Sequence, residues 1–348
     1  MKIAFVIYDL SKGGAERVVS LLSLELSKTF DVTIITFDKN IEYPFGGKII
    51  NLNLPSRQGI VKKTKNILVK TYMLRKMFSL YKFDYIFPFM ESAYIPSILT
   101  GMDVYPSLRT NPERFPKIIQ KIIFYLFSFK NVKKIVVPSK ELQRKLYNEK
   151  LSKAVCIYNP VSLELIEKKM REAIDIDFPY ILAVGRLEKV KNFDLLIRAY
   201  AMSQVREKVN LIFLGDGSQR SALMQLVKKL SISKNVFFLG NVDNVYKYMA
   251  NCECVVSTSL YEGFPNTLIE ALAVGCAVIS TDCPTGPKEI ITNNYNGILI
   301  PNNDLNKLVQ ALNKVILDED FRRILKSNAK KSILSLDISN IAPQWVNL

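Results

Sequence analysis

The chain has 348 residues and no histidine. That absence removes Ser-His-Asp and Cys-His catalysis, leaves any proton transfer to another group, and disfavours a transition-metal site. The five cysteines, Cys156, Cys252, Cys254, Cys276 and Cys283, are odd in number and lack the paired spacing of a zinc site or a disulfide framework. They read as buried free thiols in a reducing cytoplasm. Long apolar runs are missing too. The longest candidate, residues 118–129, is interrupted by Gln120 and Lys121, so no spanning helix is expected. The apolar first residues read as a strand and not as a leader, because Asp9, Lys12 and Glu16 follow where a small-residue cleavage site would stand. There is no short-period repeat and no low-complexity tract.

Acidic residues are scarce in one half only. Residues 1–165 hold 26 Lys or Arg against 13 Asp or Glu, whereas the remainder holds 22 against 19. A basic face of this kind suits nucleic acid, anionic lipid or a phosphorylated substrate, or is simply a lysine-rich soluble surface, and charge alone does not choose. Two basic stretches, residues 61–83 with Lys62, Lys63, Lys65, Lys70, Arg75 and Lys76, and residues 115–134 with Lys117, Lys121, Lys130, Lys133 and Lys134, could be helices lying on an anionic membrane. The first is favoured, because the second also serves as a core helix.

What is present is a repeated alternation of strand and helix. Short apolar runs at residues 3–8, 32–37, 85–88 and 135–138 are spaced by helical patterns, and a second set follows at 180–184, 211–214, 236–239, 254–257, 277–280 and 297–300. A length of 348 residues exceeds what one core usually supports. The expected fold class is therefore α/β, with two Rossmann-like, doubly wound parallel-sheet domains facing a cleft. Residues 160–177, polar and bracketed by Pro160 and Pro179, are expected to be the connection.

The segment Glu262-Gly-Phe-Pro-Asn-Thr-Leu-Ile-Glu270 puts two carboxylates on either side of an abrupt structural change. Gly263 and Pro265 favour a turn, so Glu262 belongs to a loop, and Asn266 or Thr267 is expected to cap a helix that carries Glu270. Amides at such a helix start suit a phosphate, and the carboxylates suit hydroxyls. An ordinary capped helix with two solvated glutamates is the other reading. Upstream, the strand ending at Gly185 is followed by Arg186 and Lys191, two cations at the carboxyl end of a strand, where a departing diphosphate could disperse its charge.

With these motifs in view, the chain resembles the retaining glycosyltransferases of family four, which have the two-domain GT-B fold and use nucleotide sugars. The resemblance rests on Gly13-Gly14-Ala-Glu-Arg17, Gly185-Arg186-Leu with Lys191-Asn192, Gly215-Asp216-Gly217, the glutamate pair around Gly-Phe-Pro, and Asn296-Gly297, in that order along nearly the whole chain. It implies an acceptor-side domain at residues 1–165, a nucleotide-sugar-binding domain at 166–326, and a segment at 327–348 that crosses back to the first. The implied activity is metal-independent transfer of a hexose or N-acetylhexosamine, with retention, from a UDP-sugar to a lipid-linked saccharide in O-antigen or related polysaccharide synthesis. The protein would work in the cytoplasm, peripheral on the anionic inner face of a bacterial membrane, with no resident cofactor and no nucleic-acid partner. Catalytic roles fall to Arg186, Lys191 and Glu262. Donor binding falls to Gly13, Gly14, Gly215, Asp243, Gly263, Phe264, Asn266, Thr267 and Glu270, and sugar or acceptor contacts to Glu91, Arg109 and Asn111. Many relatives carry a histidine where this chain has Arg109, and pairing of Arg109 with Glu113 is the structural alternative.

Other motifs compete poorly. Gly215-Asp216-Gly217 approximates a dinucleotide fingerprint, but its third glycine is replaced by Arg220, which disfavours a nicotinamide-dependent oxidoreductase. Asp175-Ile-Asp177 matches a metal-holding Asp-x-Asp pattern, yet it precedes its strand and reads as linker charge. A non-catalytic membrane- or nucleic-acid-binding scaffold of the same fold remains the alternative from another class.

Overall fold

The structure is a computed structural model that describes residues 1–11, 13–55 and 60–348, with side chains from residue 64 onward in the helix that begins at Ile60. Lys12 and the side chains of Lys62 and Lys63 thus lie outside the described residues. The chain divides into two compact units, Met1–Pro160 with Ile338–Leu348, and Val161–Asp337.

In the first unit, β1 (Lys2–Ile7), α1 (Gly14–Leu26), β2 (Asp31–Thr36), β3 (Lys48–Asn51), α2 (Ile60–Tyr81), β4 (Tyr85–Pro88) and α3 (Glu91–Leu99) precede α4 (Lys117–Phe127), β5 (Ile135–Val137), α5 (Lys140–Asn148) and β6 (Ala154–Cys156). The sheet order is β3-β2-β1-β4, all parallel, and β5 pairs with β6. Ser107 stitches the two sheets, bridging Phe89 on one side and Val136 on the other. The strand residues are apolar because helices cover the sheet, as expected of parallel sheets. In α1, Val18, Leu21, Leu22 and Leu26 recur at helical spacing and are buried. Leu74 and Phe78 of α2, Tyr94 and Ile98 of α3, and Ile123 and Phe127 of α4 belong to one core.

The second unit runs through α6 (Leu163–Lys169), β7 (Tyr180–Val184), α7 (Phe193–Met202), β8 (Asn210–Leu214), α8 (Arg220–Lys229), β9 (Val236–Gly240), α9 (Val245–Asn251), β10 (Cys254–Ser257), α10 (Asn266–Val274), β11 (Ala277–Asp282), α11 (Pro287–Ile290), β12 (Gly297–Pro301), α12 (Leu305–Leu317) and α13 (Glu319–Ser332). Its sheet is β12-β11-β10-β7-β8-β9, and every strand pair is parallel. The alternation expected from the sequence is thus an α/β fold with a parallel sheet in each unit.

Two readings are corrected. Residues 160–177 are not a plain connection, because the Ser162 hydroxyl caps α6 by accepting from the Leu165 amide, and α6 packs on α10. The units meet the chain at Pro160/Val161 and Asp337/Ile338, where the expected limits were 165/166 and 326/327. The cause is local: Val161 N donates to Leu336 O at 2.9 Å and Leu163 N to Asp337 Oδ1 at 3.0 Å, so both chain crossings leave the second unit side by side. The strands β3 and β6 were not anticipated.

The last helix, α14 (Ile338–Val346), belongs to the first unit and packs on α1. Its Trp345 is fully buried, stacked on Phe89 with centroids 5.5 Å apart and edge-on to Phe87 at 5.1 Å.

Candidate active site

The sheet of the second unit reverses its winding between β7 and β10, since β8 and β9 lie to one side and β11 and β12 to the other. In an open parallel sheet, ligands settle past the carboxyl ends of the strands at such a switch point. Lys191 follows β7 and Glu262 follows β10, and Lys191 Nζ meets Glu262 Oε1 at 2.6 Å. The Ser259 hydroxyl donates to the same oxygen, also at 2.6 Å. With side chains 21% and 16% exposed, the pair is shielded enough to be stronger than an ordinary surface ion pair.

Backbone contacts hold the pair in place. Lys191 ends a short 3-10 turn, and Asn192 follows in the left-handed region with φ 49°. The Thr258 hydroxyl lies 2.9 and 3.1 Å from the Lys191 and Asn192 carbonyl oxygens, and Leu260 N donates to Val190 O at 2.8 Å. Glu262 N donates to Pro284 O at 3.2 Å, and its carbonyl accepts from the Thr285 hydroxyl. The loops after β7, β10 and β11 are therefore laced into one rim. Burial, then the charge of Glu262, pushes the nearby Cys283 thiol up to about 12, which keeps it protonated and unreactive.

The glycines of the neighbouring loops answer to packing. Gly215 has φ +127°, and a Cβ there would stand 2.1 Å from Gly185 O. Leu187 N donates to Asp216 O at 2.9 Å, so the loops after β7 and β8 are in backbone contact. Only glycine fits at 215. Arg220, which breaks the dinucleotide pattern, opens α8 and reaches Asp216 Oδ2 at 3.4 Å and Phe238 O at 3.3 Å.

The helix α10 starts at Asn266 with Pro265, rather than Asn266 or Thr267, in the cap position, and it continues to Val274 before Gly275 ends it at φ 87°. Proline gives no side-chain cap, and the first turn carries no acidic residue. Asn266 and Thr267 are half-buried in that turn. Glu270 lies one turn further on, where Tyr246 of α9 donates its hydroxyl to Oε1 at 3.0 Å. Asn244 caps α9 and so fixes Tyr246, accepting from the Tyr246 amide at 3.0 Å.

The remaining candidates of this unit are dispersed. Arg186 is exposed and forms no ion pair with a described residue. Asp243 is exposed on the loop between β9 and α9, and Phe264 is buried beside the half-buried Gly263. Asp175 lines an open recess of about 640 Å³ with Ile174, Leu239, Val242 and Tyr248, which shares no residue with the Lys191 and Glu262 rim. Among the described residues, no group of three or more Cys, Asp or Glu side chains is gathered to hold a metal ion.

The candidates of the first unit follow the same logic, since its winding reverses between β1 and β4. Gly13 and Gly14 follow β1, and Glu91 and Met90, with φ 66°, follow β4. Gly13 is extended at φ −155°, a conformation open to any residue. Burial raises the Glu91 carboxyl above its usual range. Arg109 does not pair with Glu113, which instead meets Lys145 Nζ at 2.8 Å. Its guanidinium donates to Asn159 Oδ1 at 2.6 Å and lies over the rings of Phe89 and Trp345 at 4.9 and 5.1 Å. Nε and Nη2 meet no hydrogen-bond partner among the described residues, and burial pushes the group down to about 9. Asn111 is occupied with Glu113, accepting from its amide at 3.1 Å and donating to its carboxylate at 3.0 Å.

Sequence reasoning missed Tyr246, Ser259 and Thr258. Asn244 before an apolar-periodic stretch signals a helix start, but nothing local joins Tyr246 to Glu270.

The family described as "Glycosyl transferases group 1" matches residues 166–332. The chain is 32% identical to N-acetylgalactosamine-N,N'-diacetylbacillosaminyl-diphospho-undecaprenol 4-alpha-N-acetylgalactosaminyltransferase of Campylobacter jejuni, over 98% of this chain and 97% of the relative. It is 29% identical to a second undecaprenol-linked alpha-1,4-N-acetyl-D-galactosaminyltransferase of the same organism, over 100% and 98%. Among solved structures, the Anabaena protein HepE in complex with UDP-glucose superposes with a TM-score of 0.83 at 20% identity, covering 100% of this chain and 98% of that one. A sucrose-phosphate synthase from Thermosynechococcus elongatus gives 0.83 at 18%, covering 99% and 97%. These likenesses show the fold, the two-domain GT-B architecture. A relative 32% identical over nearly the whole length of both chains, together with the family match, shows the family: the chain belongs to the group 1 glycosyltransferases.

Proposed function

We propose that the chain is a retaining, metal-independent glycosyltransferase of family four that moves a hexose or N-acetylhexosamine from a UDP-sugar to a lipid-linked glycan in cell-surface polysaccharide synthesis. The observation that carries this is the Lys191–Glu262 pair at the switch point of the second unit. A nucleotide sugar brings a diphosphate and a set of hydroxyls, and the rim offers cations, a carboxylate and the start of α10 for them. The Campylobacter relatives, named for transfer to undecaprenol-linked saccharides, support the acceptor class. The HepE complex with UDP-glucose supports the donor class.

In this reading Lys191 and Arg186 neutralise the leaving diphosphate, the amides of Asn266 and Thr267 receive phosphate oxygens, and Glu270 accepts from the ribose hydroxyls. Glu262 holds Lys191 and faces the sugar. The bond from the anomeric carbon to phosphate breaks, the bond to the acceptor oxygen forms on the same face, and the acceptor proton passes to a phosphate oxygen. No histidine stands ready to take that proton. The enzyme needs no resident cofactor and works at the inner face of the bacterial inner membrane.

The test is a screen of UDP-linked hexoses and N-acetylhexosamines with an undecaprenyl-diphosphate-linked acceptor, run in excess EDTA, with the product anomer read by NMR. One donor should be consumed, with an α-linked product from the α-donor and an unchanged rate. An inverted anomer would overturn retention, rescue by manganese or magnesium would overturn metal independence, and no consumption of any donor would overturn the assignment.

A further inference from the structure

The outward face of α4 carries an apolar stripe. Ile118, Ile122 and Tyr125, at spacings of i, i+4 and i+7, are 68%, 48% and 68% exposed, while Ile123, Leu126 and Phe127 on the opposite side are buried. A helix that only covers a core turns polar residues outward. Three large apolar side chains in a row on the wet side form a patch that needs an occupant. Tyr125 meets Phe129 edge-on at 5.3 Å, which carries the stripe past the end of the helix.

Charge says what the occupant is. Lys117 and Lys121, one helical turn apart and next to the stripe, are exposed and form no ion pair with a described residue. Residues 114–140 contain seven Lys or Arg and no Asp or Glu. A second copy of this face would set like charges against each other, whereas an anionic bilayer offers hydrocarbon to the stripe and phosphate to the lysines. On α2, by contrast, Leu68 and Tyr72 share the outward side with Arg75 and Lys76, so apolar and cationic side chains interleave. On this comparison α4 is preferred to residues 61–83, whose Lys62 and Lys63 side chains lie outside the described residues.

We propose that α4 seats the protein on an anionic bilayer, with Ile118, Ile122 and Tyr125 entering the acyl boundary and Lys117 and Lys121 among the headgroups. The proposal rests on the lipid-linked acceptor for its purpose, and its test keeps the two apart. The full chain is sedimented with vesicles of phosphatidylglycerol and phosphatidylcholine in equal parts, and UDP affinity is measured by calorimetry on the same preparations. The variant Ile118→Ser/Ile122→Ser/Tyr125→Ser should lose vesicle partitioning by about tenfold or more while keeping wild-type UDP affinity, which serves as the fold control. Lys117→Glu/Lys121→Glu should lose binding at low salt and flatten its salt dependence. Partitioning of the triple variant equal to wild type would overturn the proposal. So would a wild-type dimer in sedimentation velocity that the triple variant converts to monomer, because a second copy would then cover the face. A wild-type protein that ignores UDP but still binds vesicles would overturn the donor reading and leave the face standing.

Discussion

Lys191 and Glu262, 71 positions apart in the chain, share a 2.6 Å ion pair at the point where the sheet of the second unit changes its winding. Each is therefore a condition for the placement of the other. Lys191→Ala and Glu262→Gln should each lower turnover, by about 30-fold to 1000-fold for the lysine, which corresponds to roughly 2 to 4 kcal/mol of transition-state stabilisation. The double variant should be little worse than the lysine variant alone, because either change dismantles the same unit. Initial rates across the cycle test this, and simple addition of the two losses would show that the residues act independently.

Tyr246→Phe should weaken UDP binding by about 0.5 to 1.5 kcal/mol, because the hydroxyl that orients Glu270 is lost while the ring stays in its packing. Glu270→Gln should lower UDP affinity more, and in both variants the turnover at saturating donor should stay near wild type. Calorimetry with UDP alone checks the order of the two effects. Wild-type affinity in Glu270→Gln would remove the carboxylate from the donor site.

Lys70 offers a test by pH. It is 4% exposed, its ammonium lies 3.9 Å from the Phe37 ring centroid, and burial pushes it down to about 8. A cation whose folded-state pKa is lowered penalises the folded protein while it is charged. The penalty is full below pH 8 and is relieved as the pH rises from about 8 to the ordinary value of 10.5, so this group makes stability increase across that window. Lys70→Met should exceed wild type in Tm at pH 7, and the gap should close towards pH 10.5 in thermal scans. A gap independent of pH would mean that Lys70 titrates normally.

Trp345→Ala should destabilise the first unit by about 3 to 5 kcal/mol, since a fully buried indole in contact with Phe87, Phe89 and Arg109 leaves a cavity that α14 cannot close. Denaturant unfolding followed by circular dichroism reads the loss. A change below about 1 kcal/mol would place α14 outside the cooperative core.

Much of this architecture was legible because parallel strands are buried on both faces and write themselves as apolar runs, as at Tyr180–Val184 and Cys254–Ser257. The strands that escaped lack that signature: β3 is an edge strand with no fully buried residue, and β6 is three residues long. The helix α6 escaped because it is seven residues long, fully buries only Ile166 and ends in charged residues, too short a stretch to show a helical period. Within the candidate site, the turn chemistry of Gly263 and Pro265 announced where Glu262 and Glu270 would separate. What could not be read were the partners. Nothing near Arg109 in the chain points to Asn159 or Trp345, and nothing near Lys191 points to Glu262, because such pairs are made by sheet order and not by spacing. For Gly215, the close backbone approach of Gly185 that demands a glycine was likewise invisible in the spacing.

The position of α14 has a consequence for synthesis on the ribosome. Residues 161–337 stand between the body of the first unit and the helix that completes it. At elongation rates of about 5 to 20 residues per second, the nascent first unit waits roughly 10 to 35 s for Trp345, with Phe87, Phe89 and Arg109 lacking their indole neighbour. The second unit, contiguous in the chain, has no such delay. The order of emergence is therefore inverted in folding: the part translated first is the part finished last, and its half-built aromatic surface is the one that a nascent-chain chaperone would meet.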